Sequence, residues 1–182
     1  GLIKAERERI DDSLKQRGFY FFDPEFLIIK VDSTVGGDQV DLYEKVKPEP
    51  PKEARQPYNI KDVFIFPGYR LSSPPADTAK KDMTFTGGYY VLDRQKQYKP
   101  RLFKHTMQFA PGDMYNRTDH NTTLSRLVNL GLFKFVKNRL EVVPEADSAL
   151  LNAYYYLTPF SRQALRAEIN ASTKSNNLTG SS

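Results

Sequence analysis

The chain has 182 residues, room for one or two small domains, and its 39% hydrophobic content with 12 Phe and 11 Tyr excludes a disordered tail. It contains no cysteine, which excludes disulfides, thiolate metal sites and cysteine nucleophiles. The net charge of +5 and a pI near 9.3 would suit nucleic acid or an anionic membrane surface, but acids interleave with bases in residues 4–17 and 41–52 and no block of five or six like charges occurs.

In chain order, Ile3, Ile10 and Leu14 recur at helical spacing among charged residues, and Gly18 follows as a stop, so residues 4–17 read as an amphipathic helix. Residues 25–32 are a short apolar run with β-branched members, hence a strand. Gly36-Gly37-Asp38 supplies turn chemistry, and residues 39–47 alternate as a second strand. Residues 48–57 carry four prolines among charges and read as a stiff boundary, with the linker proper at 51–57.

Residues 58–66 restart as a strand, 72–81 read as a loop, and 83–92 as a small inserted hairpin around Gly87-Gly88. Pro100 opens a short helix reaching about Met107, which Pro111-Gly112-Asp113 breaks. Residues 117–130 are the clearest helix: Leu124, Leu127 and Val128 share its apolar face, Asn116 or Thr118 caps its start and Gly131 ends it. Residues 133–143 and 150–157 form two strands around a turn at 144–147. Leu165, Ala167, Ile169 and Ala171 then alternate with polar residues, a pattern that fits a half-buried strand or a barrel strand with one lipid face, before a polar tail. No apolar run approaches the ~20 residues of a membrane helix. No signal peptide is visible, and the chain reads as starting inside a longer protein.

Residues 101–143 resemble a POTRA domain of the BamA/TamA superfamily of bacterial outer-membrane proteins. The resemblance rests on a short helix, the Gly112-centred turn, and a second helix whose end, Leu127-Val128-Asn129-Leu130-Gly131-Leu132-Phe133, runs straight into a strand. One departure is Leu132, which stands where the family has an aromatic. The pattern has a physical reason, because Gly131 can adopt the left-handed conformation that turns the helix back into the sheet. Residues 1–50 echo it through Leu14, Arg17-Gly18-Phe19-Tyr20 and the hairpin that follows, but with nothing before their helix.

The resemblance implies an α+β fold of POTRA-like units, each a small mixed three-stranded sheet packed against two helices, with an incomplete N-terminal repeat. Residues 1–50 would be the C-terminal part of one unit, 51–57 a linker, 58–160 a domain with an insertion near 72–99, and 161–182 the start of a barrel strand or a tail. The length of that insertion suggests a TamA-like branch in a Gram-negative lineage. The implied role is a periplasmic scaffold of an outer-membrane barrel protein, not an enzyme and without a cofactor. Its partners would be unfolded outer-membrane clients or assembly-complex subunits, with its own C-terminal barrel in the outer membrane. The incomplete N-terminal unit leaves room for a homodimer.

In this family the strand after the second helix is a sheet edge, and Lys134, Phe135, Lys137 and Arg139 are the expected partner-binding residues; Gly112, Leu127, Gly131 and Phe133 are structural. An edge accepts an extended peptide by backbone pairing. The bland reading of the cations is that they guard that edge against sticking.

Other chemistry is thin. His105 and His120 lie on different predicted helices without further metal ligands at coherent spacing. Asp32, Asp38 and Asp41 flank a Gly-Gly turn rather than following a calcium-loop register. Neither Gly-Gly pair carries a phosphate-loop fingerprint, and there is no Gly-x-Ser-x-Gly. The aromatics at 19–22 and 154–156 could stack bases but fit core packing and strand pairing better, so no nucleic acid is expected. A basic nucleic-acid module and a purely structural periplasmic spacer stand as alternatives.

Overall fold

The computed structural model describes residues 1–32, 34, 36–37, 41–72, 80–144, 147–161 and 166. Helix α1 (Leu2–Lys15) ends where Gly18 takes φ +93 and the Phe19 N–H bonds back to the Leu14 carbonyl at 3.2 Å, a left-handed exit open to glycine. Asp23 then caps a short 3-10 turn over Pro24–Phe26, accepting from the Glu25 N–H at 2.8 Å, so strand β1 (Leu27–Asp32) starts two residues later than its apolar run. β1 pairs antiparallel with β2 (Asp41–Val46) in a two-stranded sheet of its own, and every residue of β2 is exposed.

Strand β3 (Asn59–Phe66) begins the larger unit. A tight hairpin, β4 (Thr84–Thr86) and β5 (Tyr89–Val91), turns on Gly87 and Gly88, both at positive φ. Helices α2 (Pro100–Thr106) and α3 (Arg117–Asn129) follow, with Pro100 at the first turn of α2 and the Asn116 side chain accepting from the Asp119 N–H at 2.8 Å. The chain closes with β6 (Phe133–Val142) and β7 (Leu150–Pro159).

These strands form one mixed sheet in the order β4-β5-β3-β7-β6. β7 lies between β3, to which it is parallel, and β6, to which it is antiparallel. The α+β reading therefore holds, but among the described residues the sheet has five strands rather than three. The inserted hairpin does not hang from a loop: β5 pairs parallel to β3 through Phe64↔Tyr90 and Ile65↔Val91, and so caps the edge that β3 would otherwise expose.

Alternation sorts each strand's side chains to two faces. Ile60, Val63 and Ile65 of β3 and Leu151, Ala153, Tyr155 and Leu157 of β7 face the helices, where Phe103, Met107 and Leu127 complete the core. One face residue was misassigned from sequence. Val128 is 56% exposed, and the buried stripe of α3 runs through Thr123 and Leu127. Thr123 keeps its place because its hydroxyl accepts from the Gln108 N–H at 3.0 Å.

The N-terminal unit docks on the larger one through its post-helix aromatics. Phe21 stacks edge-on against Tyr58 at 5.3 Å and Tyr20 against Tyr115 at 4.9 Å, while the Tyr58 N–H bonds the Gly18 carbonyl at 3.0 Å. Beside them Asp11, buried, pairs with Lys15 at 2.8 Å and with Arg117 at 3.3 Å. Residues 48–57 are not bare chain. Lys52–Arg55 form a 3-10 turn, and Pro50 and Ala54 are buried.

Candidate functional site

β6 is the open edge of the five-stranded sheet. Its register with β7 runs from Phe133↔Pro159 to Val142↔Leu151, with one irregularity between Phe133 and Phe135. Among the described residues only the β7 side of this ten-residue strand is paired, which leaves the N–H and C=O groups of its other side without a strand partner there. The opposite edge of the same sheet, β4, is three residues long.

The four residues singled out on this strand divide by position. Phe135, Lys137 and Arg139 fall at alternate positions, across from Thr158, Tyr156 and Tyr154, and so share the face away from the helices. Phe135 is 56% exposed. Lys134 lies at the irregularity, its ammonium 5.3 Å from the centre of the Phe135 ring. Arg139 pairs with Glu141 at 2.7 Å and sits 5.7 Å over the Tyr154 ring. Lys137 projects into solvent.

The structural residues support that edge. Gly131, at φ +67, receives the end of α3, its N–H bonding the Val128 carbonyl at 3.2 Å. Two residues later Phe133 is buried at the start of β6, and Leu127 is fully buried beneath α3. Gly112, at φ +94, donates its N–H to the Ile60 carbonyl at 2.7 Å, and the Asp113 carbonyl accepts from the Ile60 N–H at 2.8 Å. The Pro-Gly-Asp break thus ties the α2–α3 connection to the start of β3.

Sequence reasoning missed an aromatic layer on the helix-free face of the sheet. Tyr90, Phe64 and Tyr154 stand side by side with centroids 5.3 and 4.9 Å apart and ring planes within 20° of parallel. Phe66 and Tyr156 repeat the arrangement at 5.1 Å. The signal was the β alternation itself, which puts Phe64, Phe66, Tyr154 and Tyr156 on one face once β3 and β7 are neighbours. These rings stack chiefly on one another. The cations over the layer are also engaged: Lys80 pairs with Asp62 at 2.6 Å as well as lying over Tyr90, and Arg139 pairs with Glu141. An engaged cation is a poor anchor for phosphates.

The histidines stay apart. His105 is exposed on α2. His120, on α3, lies against the Tyr115 ring, and burial followed by the Arg117 charge holds its pKa below the ordinary value of 6.5. Tyr115 is pushed up to about 12 by burial, with Tyr20 adding to the effect. Asp32 accepts from the Thr34 N–H and hydroxyl, a local turn that lowers its pKa; Asp38 lies outside the described residues. Among the described residues no three His, Cys, Asp or Glu side chains form a metal-holding group, and no helix is long and apolar enough to cross a membrane. The alternating stretch at 165–172 falls outside the described residues apart from position 166.

No family model matches the chain, and no curated protein matches it. Its backbone is similar to that of several solved structures at low identity. POTRA 3–5 of BamA from Haemophilus influenzae is 14% identical, with 86% of this chain and 47% of that one covered and a TM-score of 0.46. BamA from Haemophilus ducreyi lacking POTRA domains 1–3 is 12% identical, with 87% and 23% covered and a TM-score of 0.49. POTRA 1–3 of the periplasmic domain of Omp85 from Anabaena is 14% identical, with 88% and 51% covered and a TM-score of 0.44. The chain spans about half of the first and third of these structures and about a quarter of the second.

Proposed function

We propose that this chain is part of the periplasmic POTRA arm of an outer-membrane β-barrel protein, and that it holds extended polypeptides by adding them as a sixth strand beside β6. In this reading residues 1–50 are the end of one unit, 51–57 join it to the next, and 58–160 form a domain whose inserted hairpin lies within 72–99. The polypeptides are unfolded outer-membrane clients or subunits of an assembly complex. The arm sits on the periplasmic side of the outer membrane, binds no cofactor and catalyses no reaction.

One observation carries the proposal: among the described residues no strand pairs with the free side of the ten-residue β6, while the β4–β5 hairpin covers the other side of the sheet. Backbone pairing suits clients of many sequences, because N–H and C=O groups are common to all of them. Each such bond nets only ~0.5–1.5 kcal/mol, and the incoming segment must be ordered, so capture is weak and reversible, as transfer to a barrel requires. Phe135 supplies an apolar contact beside the edge. Lys137 keeps the empty edge from pairing with copies of itself.

The proposal is tested by placing a photo-crosslinking side chain at position 137 or 139 of the full protein in cells, with position 8 on α1 as the control. The expected result is adducts with nascent barrel proteins at 137 and 139 and none at 8. A purely structural spacer gives no client adducts at any of the three, and that result would overturn the reading.

A further inference from the structure

A second surface lies on the helical side of the larger unit. Between α2 and α3 runs an open groove of about 770 Å³ with Leu102, Leu130 and Leu132 on its floor. Tyr98 walls one end, its ring held 5.4 Å from Phe133 and its N–H bonded to the Asp93 carboxylate at 2.8 Å. The floor is thus braced against the core rather than loosely covered.

The rim is basic. Lys99, Arg101 and Arg126 line it, and no carboxylate does. Among the described residues none of the three is ion-paired, whereas Lys80, Arg117 and Arg139 elsewhere on the unit all are. Arg126 is also held in position, donating to the His105 carbonyl at the end of α2 at 3.2 Å. An apolar floor between uncompensated cations asks for an occupant that is apolar along one stripe and acidic on its flanks.

The walls decide its backbone. α2 and α3 present helical rather than extended backbone along the groove, so it offers no strand edge. An extended peptide laid here would leave its polar backbone unsatisfied over leucines. A helix brings its backbone bonds with it and seats apolar residues at i, i+3, i+4 and i+7. We infer that the α2–α3 groove is a docking site for an acidic amphipathic helix of a partner protein, separate from the edge that takes extended chains and independent of it.

The test uses a fluorescein-labelled helix-forming peptide with Leu at i, i+4, i+7 and i+11 and Glu on the flanking positions, with a twin carrying Lys for Glu. Fluorescence anisotropy is measured with the whole chain, with the two rim variants Arg126→Glu and Lys99→Glu, with the floor variant Leu102→Gln, and with Phe135→Ser on β6; circular dichroism melts establish that each is folded. The expected result is binding of the acidic peptide alone, weakened at least tenfold by Arg126→Glu and by Leu102→Gln, weakened by added salt, and untouched by Phe135→Ser. Equal binding of both peptides, no binding by the folded wild type, or binding that all groove variants leave unchanged would overturn the inference. So would competition showing that vesicles of phosphatidylcholine with phosphatidylglycerol, rather than the helix, occupy the rim.

Discussion

Two units of this chain share one local design and end in different states. In each, a helix stops at a left-handed glycine, aromatic or apolar residues follow, and an antiparallel hairpin closes the segment: α1–Gly18–β1–β2 and α3–Gly131–β6–β7. In the second, β3 pairs parallel to the last strand and α2 packs beside α3, so alternate residues of β7 are buried. In the first no described strand pairs with the free side of β2, and Leu42 and Val46 remain 42% and 47% exposed. A hairpin and one helix do not bury a sheet face; the third strand and second helix make the core. The N-terminal unit owes its order to docking, through Tyr20, Phe21 and the Asp11 ion pairs.

The largest effect that would sharpen this contrast is a core truncation. Leu127→Ala should cost about 2–5 kcal/mol by denaturant unfolding, whereas Leu42→Ala on the open hairpin should change stability by less than about 0.5 kcal/mol. Comparable losses at both sites would mean that the hairpin is as well packed as the domain. Next come the two glycines. A Cβ at Gly18 would lie 3.0 Å from both the Met114 Cγ and the Pro57 Cβ, on top of its left-handed φ, while one at Gly131 would meet nothing within 4 Å. Gly131→Ala should therefore cost roughly the ~1–2 kcal/mol of the left-handed conformation alone. Gly18→Ala should cost more and should release the N-terminal unit to limited proteolysis near residues 48–57.

A smaller loss is expected at the ion pairs. Asp11→Ala leaves Lys15 and Arg117 facing each other, and because Arg117 is one-third exposed the cost should be about 1–2 kcal/mol rather than the full value of a buried pair. It should appear as earlier proteolysis of residues 1–50 with little change in the unfolding of the larger unit. The smallest effect is on pH. Burial lowers the His120 pKa, so the unfolded chain takes up that proton first as pH falls below 6.5. The stability linked to His120 is whole above that value and declines below it. His120→Gln should flatten the acid dependence of unfolding between about pH 7 and 5, and an unchanged slope would show that another group governs it.

Much of this architecture was legible because it is local. Gly18, Gly131, Pro100, Asn116 and the Gly87-Gly88 pair each announce a helix end or a turn by a backbone requirement, and the structure places them so. The edge position of β6 also follows once residues 101–143 are matched to a POTRA pattern. What escaped depended on pairings distant in sequence. Whether residues 83–92 hang free or join β3 is decided by Phe64↔Tyr90, and the aromatic layer exists only because β3 and β7 are neighbours. Val128 looked like a core residue since apolar spacing alone cannot tell it from Thr123, whose burial depends on one hydrogen bond to Gln108.

The central claim, that β6 takes an extended chain by backbone pairing, is tested most directly by hydrogen exchange. Amide exchange across β6 would be measured for the full chain with and without a synthetic strand-forming peptide of alternating Val and Thr ending in Phe. The account predicts new protection at alternate amides of residues 133–142, since alternate N–H groups of an edge strand point outward, with α2 and α3 unchanged. Saturating peptide that protects other segments, or none, while β6 exchanges as before would contradict it.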